Sequence, residues 1–486
     1  MKKIHYLCLF VLSVTLFTSC SENDNDTILK YTTDKTLAIT RFNLKQFNEK
    51  LPKDAISKDT AVSRFSASEK EKFKLFMNAE DNGIDIKKPL YMIADEVKGN
   101  YVFSFLLTLD DDKKFETNFS KITDSKVTID KTKNLVYSDG NIIGSINDDL
   151  IVLSKISNYG NYGNYGSSES KADEAFYKEF WARKSNVDKN VKEQITGALS
   201  DKSDVSAWIN IHGIISNATK GYIETLAVNK LLVNAGISLN LNFEEGKVVV
   251  NSDTYFNDDL KKLIEKHYNG KEANYNVLNS IDVDGAKSYG VGFFSFEFMK
   301  YFVKEAGFEA SINHYLEYKN LTFAEVMDAL NGDYAVVSYK DNVVVEDEMY
   351  GPYEKPSTLI ALGINGGKAK KIVDLLHEDG MFSSLGSVFN NNDMLAFATD
   401  ESKLEMLRTN KKAANSKLTK KSGVNGYSWT SGEEFNKMYS NVRQAKFKFE
   451  DMVSTSTVKN GNFATEITIN IDKKNKNSIH YLMGYE

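Results

Sequence analysis

The chain has 486 residues, 41% hydrophobic and 26% charged, with 29 Gly and 4 Pro, an ordinary globular composition that excludes disordered, collagen-like and multi-span membrane classes. Its 61 basic and 67 acidic residues give a net charge of -6 and are interspersed without a basic block; nucleic-acid binding needs a clustered positive face and is excluded. Both cysteines, Cys8 and Cys20, sit at the front, so structural disulfides, thiol nucleophiles and Cys-ligated zinc are ruled out for everything that follows.

Lys2 and Lys3 lead into the apolar run Tyr6 to Phe17, followed by the small residues Thr18 and Ser19 and then Cys20. That order is a secretion signal. The run is about a dozen residues, short of the ~20 that a spanning helix needs. Leu16-Phe17-Thr18-Ser19-Cys20 resembles a bacterial lipobox, with Phe17 where Leu is usual. Residues 1–19 are therefore expected to be a lipoprotein signal peptide, and Cys20 the lipidated residue. Residues 20–29 read as an acidic tether, with Ser-Glu-Asn-Asp-Asn-Asp after Cys20 and no apolar residue before Ile28. Serine and acids in that place look like the outer-membrane and surface-export signals of Bacteroidetes lipoproteins. Cleavage leaves 59 basic against 67 acidic residues, a balance of -8.

The first predicted strand is Leu37 to Phe42, followed by Asn43 as an N-cap and a short helix from Leu44 to Lys50. A capping box, Ser66-Ala-Ser-Glu69, opens a second helix that stops near Asn82-Gly83. Tyr91 to Asp95 and Tyr101 to Leu109 read as a hairpin about Lys98-Gly99-Asn100. A helix from Asp112 to Ile122 follows, then strands Asn141 to Ile146 and Leu150 to Ser154. Residues 157–171 hold three Asn-Tyr-Gly triplets, which support neither a helix nor a central strand and predict a mobile loop. Helices are expected from Ala172 to Leu199 and through most of Gly213 to Ala235. A strand is expected from Val205 to Ile211, a hairpin from Ser238 to Tyr255, and a helix from Asp258 to His267.

From Lys287 the order restarts. Tyr289 to Phe294 with Ser295 echoes Leu37 to Phe42 with Asn43, and Thr322-Phe-Ala-Glu325 repeats the capping box. Tyr334 to Tyr339, Thr358 to Ile364 and the helix Lys368 to Glu378 follow. Tyr427-Ser428-Trp429 echoes Ser206-Ala207-Trp208, and the hairpin Lys446 to Ile471 echoes Ser238 to Tyr255. The offsets drift from about 252 to about 215, an order-of-elements match with insertions. The expectation is α+β: two similar modules, 30–280 and 281–486, with antiparallel sheets flanked by helices and arising by internal duplication. The lipoprotein start, Ile39-Thr-Arg-Phe-Asn-Leu-Lys45 and Asn82-Gly-Ile-Asp-Ile-Lys-Lys-Pro-Leu90 together resemble the Bacteroidetes lipoproteins grouped as domain of unknown function 4836. That resemblance implies a localisation, with no activity and no site residues attached.

Catalytic motifs each lack a part. Gly363-Ile-Asn-Gly-Gly-Lys368-Ala369 is one residue short of a phosphate loop and has Ala369 where a hydroxyl should hold magnesium, so it reads as a strand-to-helix turn. His212, His267, His314, His377 and His480 show no metal-ligand spacing. Asp110-Asp111-Asp112 and Asp282-Val-Asp284-Gly285 fall short of a calcium loop and read as helix and turn acids. No cofactor is expected. Tyr159, Tyr162 and Tyr165 read first as parts of a linker, and otherwise as rigid amphipathic rings for ligand contact. The functional expectation is a non-catalytic envelope lipoprotein, held to the outer membrane by its lipid, possessing a binding or scaffolding role toward an envelope protein or glycan. A glycan- or peptide-binding surface lipoprotein and a carboxylate-based hydrolase are the alternatives.

Overall fold

The computed structural model describes residues 28–51, 82–97, 99–157, 172–200, 202–345, 351–378, 386–416, 418–433, 435–437 and 447–482. Cys20, the helix expected to start at Ser66, and Tyr159, Tyr162 and Tyr165 lie outside them. The fold is mixed α+β with antiparallel strand pairing throughout. It divides into two compact units between Asn210 and Ile211.

The first unit is built on β1 (Thr36–Phe42), β2 (Leu90–Val97), β3 (Asn100–Thr108), β4 (Val127–Asp130), β5 (Leu135–Ser138), β6 (Asn141–Asn147), β7 (Leu150–Ser157) and β8 (Val205–Asn210). Their order across the sheet is β8-β1-β2-β3-β7-β6-β5-β4. Side chains alternate faces along a strand, and register carries Trp208, Ile39 and Ile93 onto one row with Tyr91 and Leu106 beside them. Helices α3 (Glu174–Trp181) and α4 (Lys189–Ser200) cover that face with Tyr177, Phe180, Ile195 and Leu199. Trp208 and Phe180 are each 1% exposed, and burying each such side chain contributes roughly 1.5–3 kcal/mol. Helix α2 (Asp112–Thr123) seals a second cluster through Phe115; α1 (Leu44–Lys50) follows β1, capped by Asn43.

The second unit contains β9 (Gly236–Glu244), β10 (Lys247–Tyr255), β11 (Ala286–Phe293), β12 (Leu330–Val345), β13 (Tyr353–Ile364), β14 (Ser387–Asn390), β15 (Met394–Ala398), β16 (Gly426–Ser431), β17 (Phe449–Lys459) and β18 (Asn462–Ile471). The order is β9-β10-β18-β17-β16-β11-β12-β13-β15-β14. Its main core lies on one face of β11, β12, β13 and β15, in two rows. One is Tyr289, Val337, Leu359 and Ala398; the other is Val291, Ala335, Ala361 and Ala396. The alanines let the covering chain approach, and Leu278, Ile281, Val283, Leu404, Leu407 and Val424 close over them. Its helices of six or more residues, among the described residues, are α5 (Ile211–Ala218), α6 (Asp258–Tyr268), α7 (Phe296–Glu305), α8 (Glu309–Glu317), α9 (Phe323–Asp328) and α10 (Gly366–Glu378).

Several expectations need adjusting. The stretch expected as helix from Ala172 to Leu199 is two helices, interrupted where Arg183 leaves the helix to pair with buried Asp95. Gly213 to Ala235 holds α5 and two single turns, since Gly221 (φ 80°) and Asn234 (φ 63°) take left-handed backbone that ends a helix. Residues 211–280, expected with the first module, pack in the second unit, because β10 pairs with β18 along seven residues from Lys247↔Asn470 to Asp253↔Ala464.

Candidate functional site

The two core rows of the second unit run on past the chain that covers them. Across β16, β17 and β18 the first becomes Trp429, Val453 and Thr468, and the second becomes Tyr427, Thr455 and Glu466. A third row, Ser431, Asp451 and Asn470, lies alongside. Alternation places all nine on one face. Eight of them, with Ser416, Thr419 and Lys421 from the loop that borders the face, line a basin of about 670 Å³. The face that forms a core under β11–β15 therefore continues as a polar basin over β16–β18.

The aromatic side of the basin is fixed. Trp429 stacks on Tyr289 with ring centroids 5.7 Å apart and planes at 27°, and Tyr427 lies 6.0 Å from Tyr289. Tyr289 and Tyr427 are buried, while Trp429 is half-buried. The Trp429 indole N–H donates to Asp451 Oδ2 at 3.1 Å, and Asn470 Nδ2 donates to Asp451 Oδ1 at 2.6 Å. Trp429, Asp451 and Asn470 therefore hold one another. The bordering loop is tied down by hydroxyls: Tyr289 accepts from the Thr419 N–H at 3.4 Å and Tyr275 from the Lys421 N–H at 3.0 Å. Burial pushes both tyrosines above the ordinary value, so both are neutral at any physiological pH. Thr455, Glu466 and Thr468 have no side-chain partner among the described residues.

A shallower depression of about 440 Å³ is lined by Lys319, Asn320, Lys368, Lys370, Lys371 and Asp374 at the start of α10. Its lysines are partly balanced: Lys371 reaches Glu325 Oε1 at 3.4 Å and Lys368 reaches Asp328 Oδ2 at 3.9 Å.

The residues singled out in the sequence take other roles. A Cβ on Gly363 would stand 2.2 Å from Asn331 Oδ1, and one on Gly366 would stand 2.6 Å from the Asn392 carbonyl. Those glycines let neighbouring loops approach where β13 passes into α10. Asp111 caps α2 by accepting from the Lys114 N–H at 3.0 Å, and Asp112 pairs with Lys131. Asp284 accepts from Ser416 through both its N–H and its hydroxyl at 2.9 Å, which anchors the loop beside the basin. His212 bonds Asn229 at 2.8 Å, and burial lowers the affinity of His267 for a proton. Among the described residues no group of three or more His, Cys, Asp or Glu side chains is placed to hold a metal ion. No described helix is long and apolar enough to cross a membrane.

The basin was not singled out in the sequence, because its parts are separated by as many as 54 positions, from Ser416 to Asn470. The available signal was alternation: Tyr427-x-Trp429, Asp451-x-Val453-x-Thr455 and Glu466-x-Thr468-x-Asn470 place polar and aromatic residues every second position on three successive strands.

No family model matches the chain. No curated protein matches it. A solved structure titled "Structure of crystal form III of TP0453" is 13% identical and covers 50% of this chain and 87% of its own, at a TM-score of 0.28, a likeness too slight to argue from.

Proposed function

We propose that this is a non-catalytic envelope lipoprotein, anchored to the outer membrane through Cys20, whose binding role is carried by the basin over β16–β18. The observation that carries the reading is the Trp429–Asp451–Asn470 cluster, a set of polar and aromatic groups locked in place on a sheet face yet open to solvent. Fixed groups of that kind lower the ordering cost of binding. The two carboxylates of the basin favour binding over hydrolysis. Asp451 pairs with Asn470 and Glu466 with Thr455 in the register of β17 and β18, four residues apart along the strands. At about 3.3 Å per residue that sets their backbone positions roughly 13 Å apart, a spacing that does not by itself build the close carboxyl pair, ~5–9.5 Å, of a glycosidase.

The lipid anchor rests on the signal, lipobox and tether at the front of the chain. The internal duplication is also part of the proposal. In its support, β8-β1-β2-β3-β7-β6 of the first unit and β16-β11-β12-β13-β15-β14 of the second have the same strand order. In both, the strand after the module start leads into a capped helix, through Asn43 and through Ser295. The hairpin β17–β18 continues from β16, and β9–β10 continues from β18.

The test is Cys20→Ala with cell fractionation, together with affinity capture of envelope extract on the wild-type chain and on Trp429→Ala. The proposal expects Cys20→Ala to leave the membrane fraction and Trp429→Ala to lose its captured ligand. Unchanged membrane retention refutes the anchor, and unchanged capture refutes the basin.

A further inference from the structure

Resting on the reading of the basin as a binding site, we propose that its ligand is a neutral oligosaccharide, with one sugar ring laid on Trp429 and its hydroxyls bonded to Asp451, Asn470, Thr455 and Thr468.

The chemistry of the lining selects this class. A pyranose presents an apolar C–H face and a rim of hydroxyls, so it needs one flat aromatic surface beside groups that both accept and donate. Trp429 supplies the surface, and it cannot swing, being stacked on Tyr289 at 5.7 Å and tied through its N–H to Asp451 at 3.1 Å. Asp451 accepts one bond on each oxygen, at 3.1 and 2.6 Å, and each carboxylate oxygen has a further lone pair to offer. Thr455 and Thr468 add hydroxyls, and Glu466 adds an exposed carboxylate at the rim. About 670 Å³ falls within the ~300–1,000 Å³ of small-ligand sites, enough for two or three sugar units.

Other classes fit worse. Asp451 and Glu466 outnumber Lys421 in the lining, which disfavours phosphate and other anions. An organic cation calls for several ring faces around it, whereas Tyr289 and Tyr427 are only 2% and 4% exposed, leaving Trp429 as the ring presented. An extended peptide gains most from pairing with a free strand edge, and β16, β17 and β18 are each paired on both sides.

The experiment is isothermal titration of the full mature chain in detergent with cellotriose, maltotriose, laminaritriose, xylotriose and chitotriose, and separately with a tryptic casein digest. The same titrations are run on Trp429→Ala, Trp429→Phe, Asp451→Asn and, as a surface control, Lys370→Ala. The inference expects at least one trisaccharide to bind with a dissociation constant of about 1 mM or tighter. Trp429→Ala and Asp451→Asn should each weaken that binding by about tenfold or more, Trp429→Phe should restore most of it, and Lys370→Ala should leave it unchanged. Unchanged near-ultraviolet circular dichroism checks that each variant is folded. Trp429-dependent binding of casein peptides without any saccharide binding overturns the ligand class and leaves the basin as a binding site. Cleavage of a bound trisaccharide, lost in Asp451→Asn, overturns the non-catalytic reading and keeps the class. Trisaccharide binding indifferent to Trp429, or no binding of either probe class, overturns both.

Discussion

Asp95 is 1% exposed, and its carboxylate is satisfied by Arg183 Nη1 at 2.6 Å and by the Thr36 hydroxyl at 2.7 Å. Arg183 also stacks over Phe180, its guanidinium 4.6 Å from the ring centroid, and donates to the Tyr31 carbonyl at 3.2 Å. Removing one partner of such a pair leaves a buried charge uncompensated. Arg183→Met is therefore expected to cost about 3–5 kcal/mol in chemical denaturation, with most of the loss recovered in Arg183→Met/Asp95→Leu. If the double variant is no more stable than the single one, the pair is not what the site depends on. The sequence offered Asp95 as one more strand residue, because a pairing across 88 positions leaves no local trace. The buried tyrosines give a second expectation. Burial pushes Tyr177 up to about 12 and raises Tyr289 and Tyr339 as well. Unfolded tyrosine ionises near 10; above that pH the unfolded chain releases phenolic protons that the folded chain keeps, so stability present below pH ~10 falls as pH rises toward the folded values. Urea midpoints measured across the alkaline range, followed by phenolate absorbance, should decline above that pH. Midpoints flat through the range would mean these hydroxyls are exposed to solvent.

Helix α9 shows how much an element owes to its first residue. The Thr322 hydroxyl accepts from the Glu325 N–H at 3.2 Å, and Glu325 Oε2 accepts from the Thr322 N–H at 2.7 Å. Both bonds satisfy N–H groups that a helix start leaves without partners. Thr322→Ala should cost about 1 kcal/mol, read as a lowered denaturation midpoint, whereas Thr322→Ser should be near neutral; equal stability of all three chains would contradict a capping role. This box was legible in the sequence, as were α1 with its N-cap Asn43, helix α6 and the hairpins β2–β3 and β9–β10, because caps and turn residues act locally. Strands β4 and β5 and helix α8 were not anticipated. Each of those strands is four residues long, and α8 is a nine-residue helix with no side-chain N-cap and no buried residue, so the local signals are weak. The basin was hidden for a different reason: which face of β16–β18 meets solvent is decided by where the loop through Leu404 to Val424 ends its cover, and that is settled by tertiary packing.

Each unit of the molecule has its own sheet and its own apolar clusters: one set gathers Trp208, Ile39 and Phe115, and the other Tyr289, Leu359 and Ile264. Units of this kind fold independently. Residues 211–486 expressed alone should unfold cooperatively in urea and retain whatever ligand the whole chain binds through the basin. A molten or insoluble product would show that the second unit depends on the first. The boundary at 210/211 was not legible because the order of elements along the sequence suggested a division near residue 280, whereas strand pairing parts the chain into compact bodies earlier. Hairpin β9–β10 follows the first unit in the chain but pairs through β18 into the sheet of the second. The most direct measurement of the account is hydrogen exchange of the chain with and without a saturating concentration of the trisaccharide that it binds. The account predicts slowed exchange confined to residues 416–431 and 449–471, which carry the basin, and loss of that protection in Trp429→Ala. Protection centred elsewhere, or protection that survives Trp429→Ala, would contradict it.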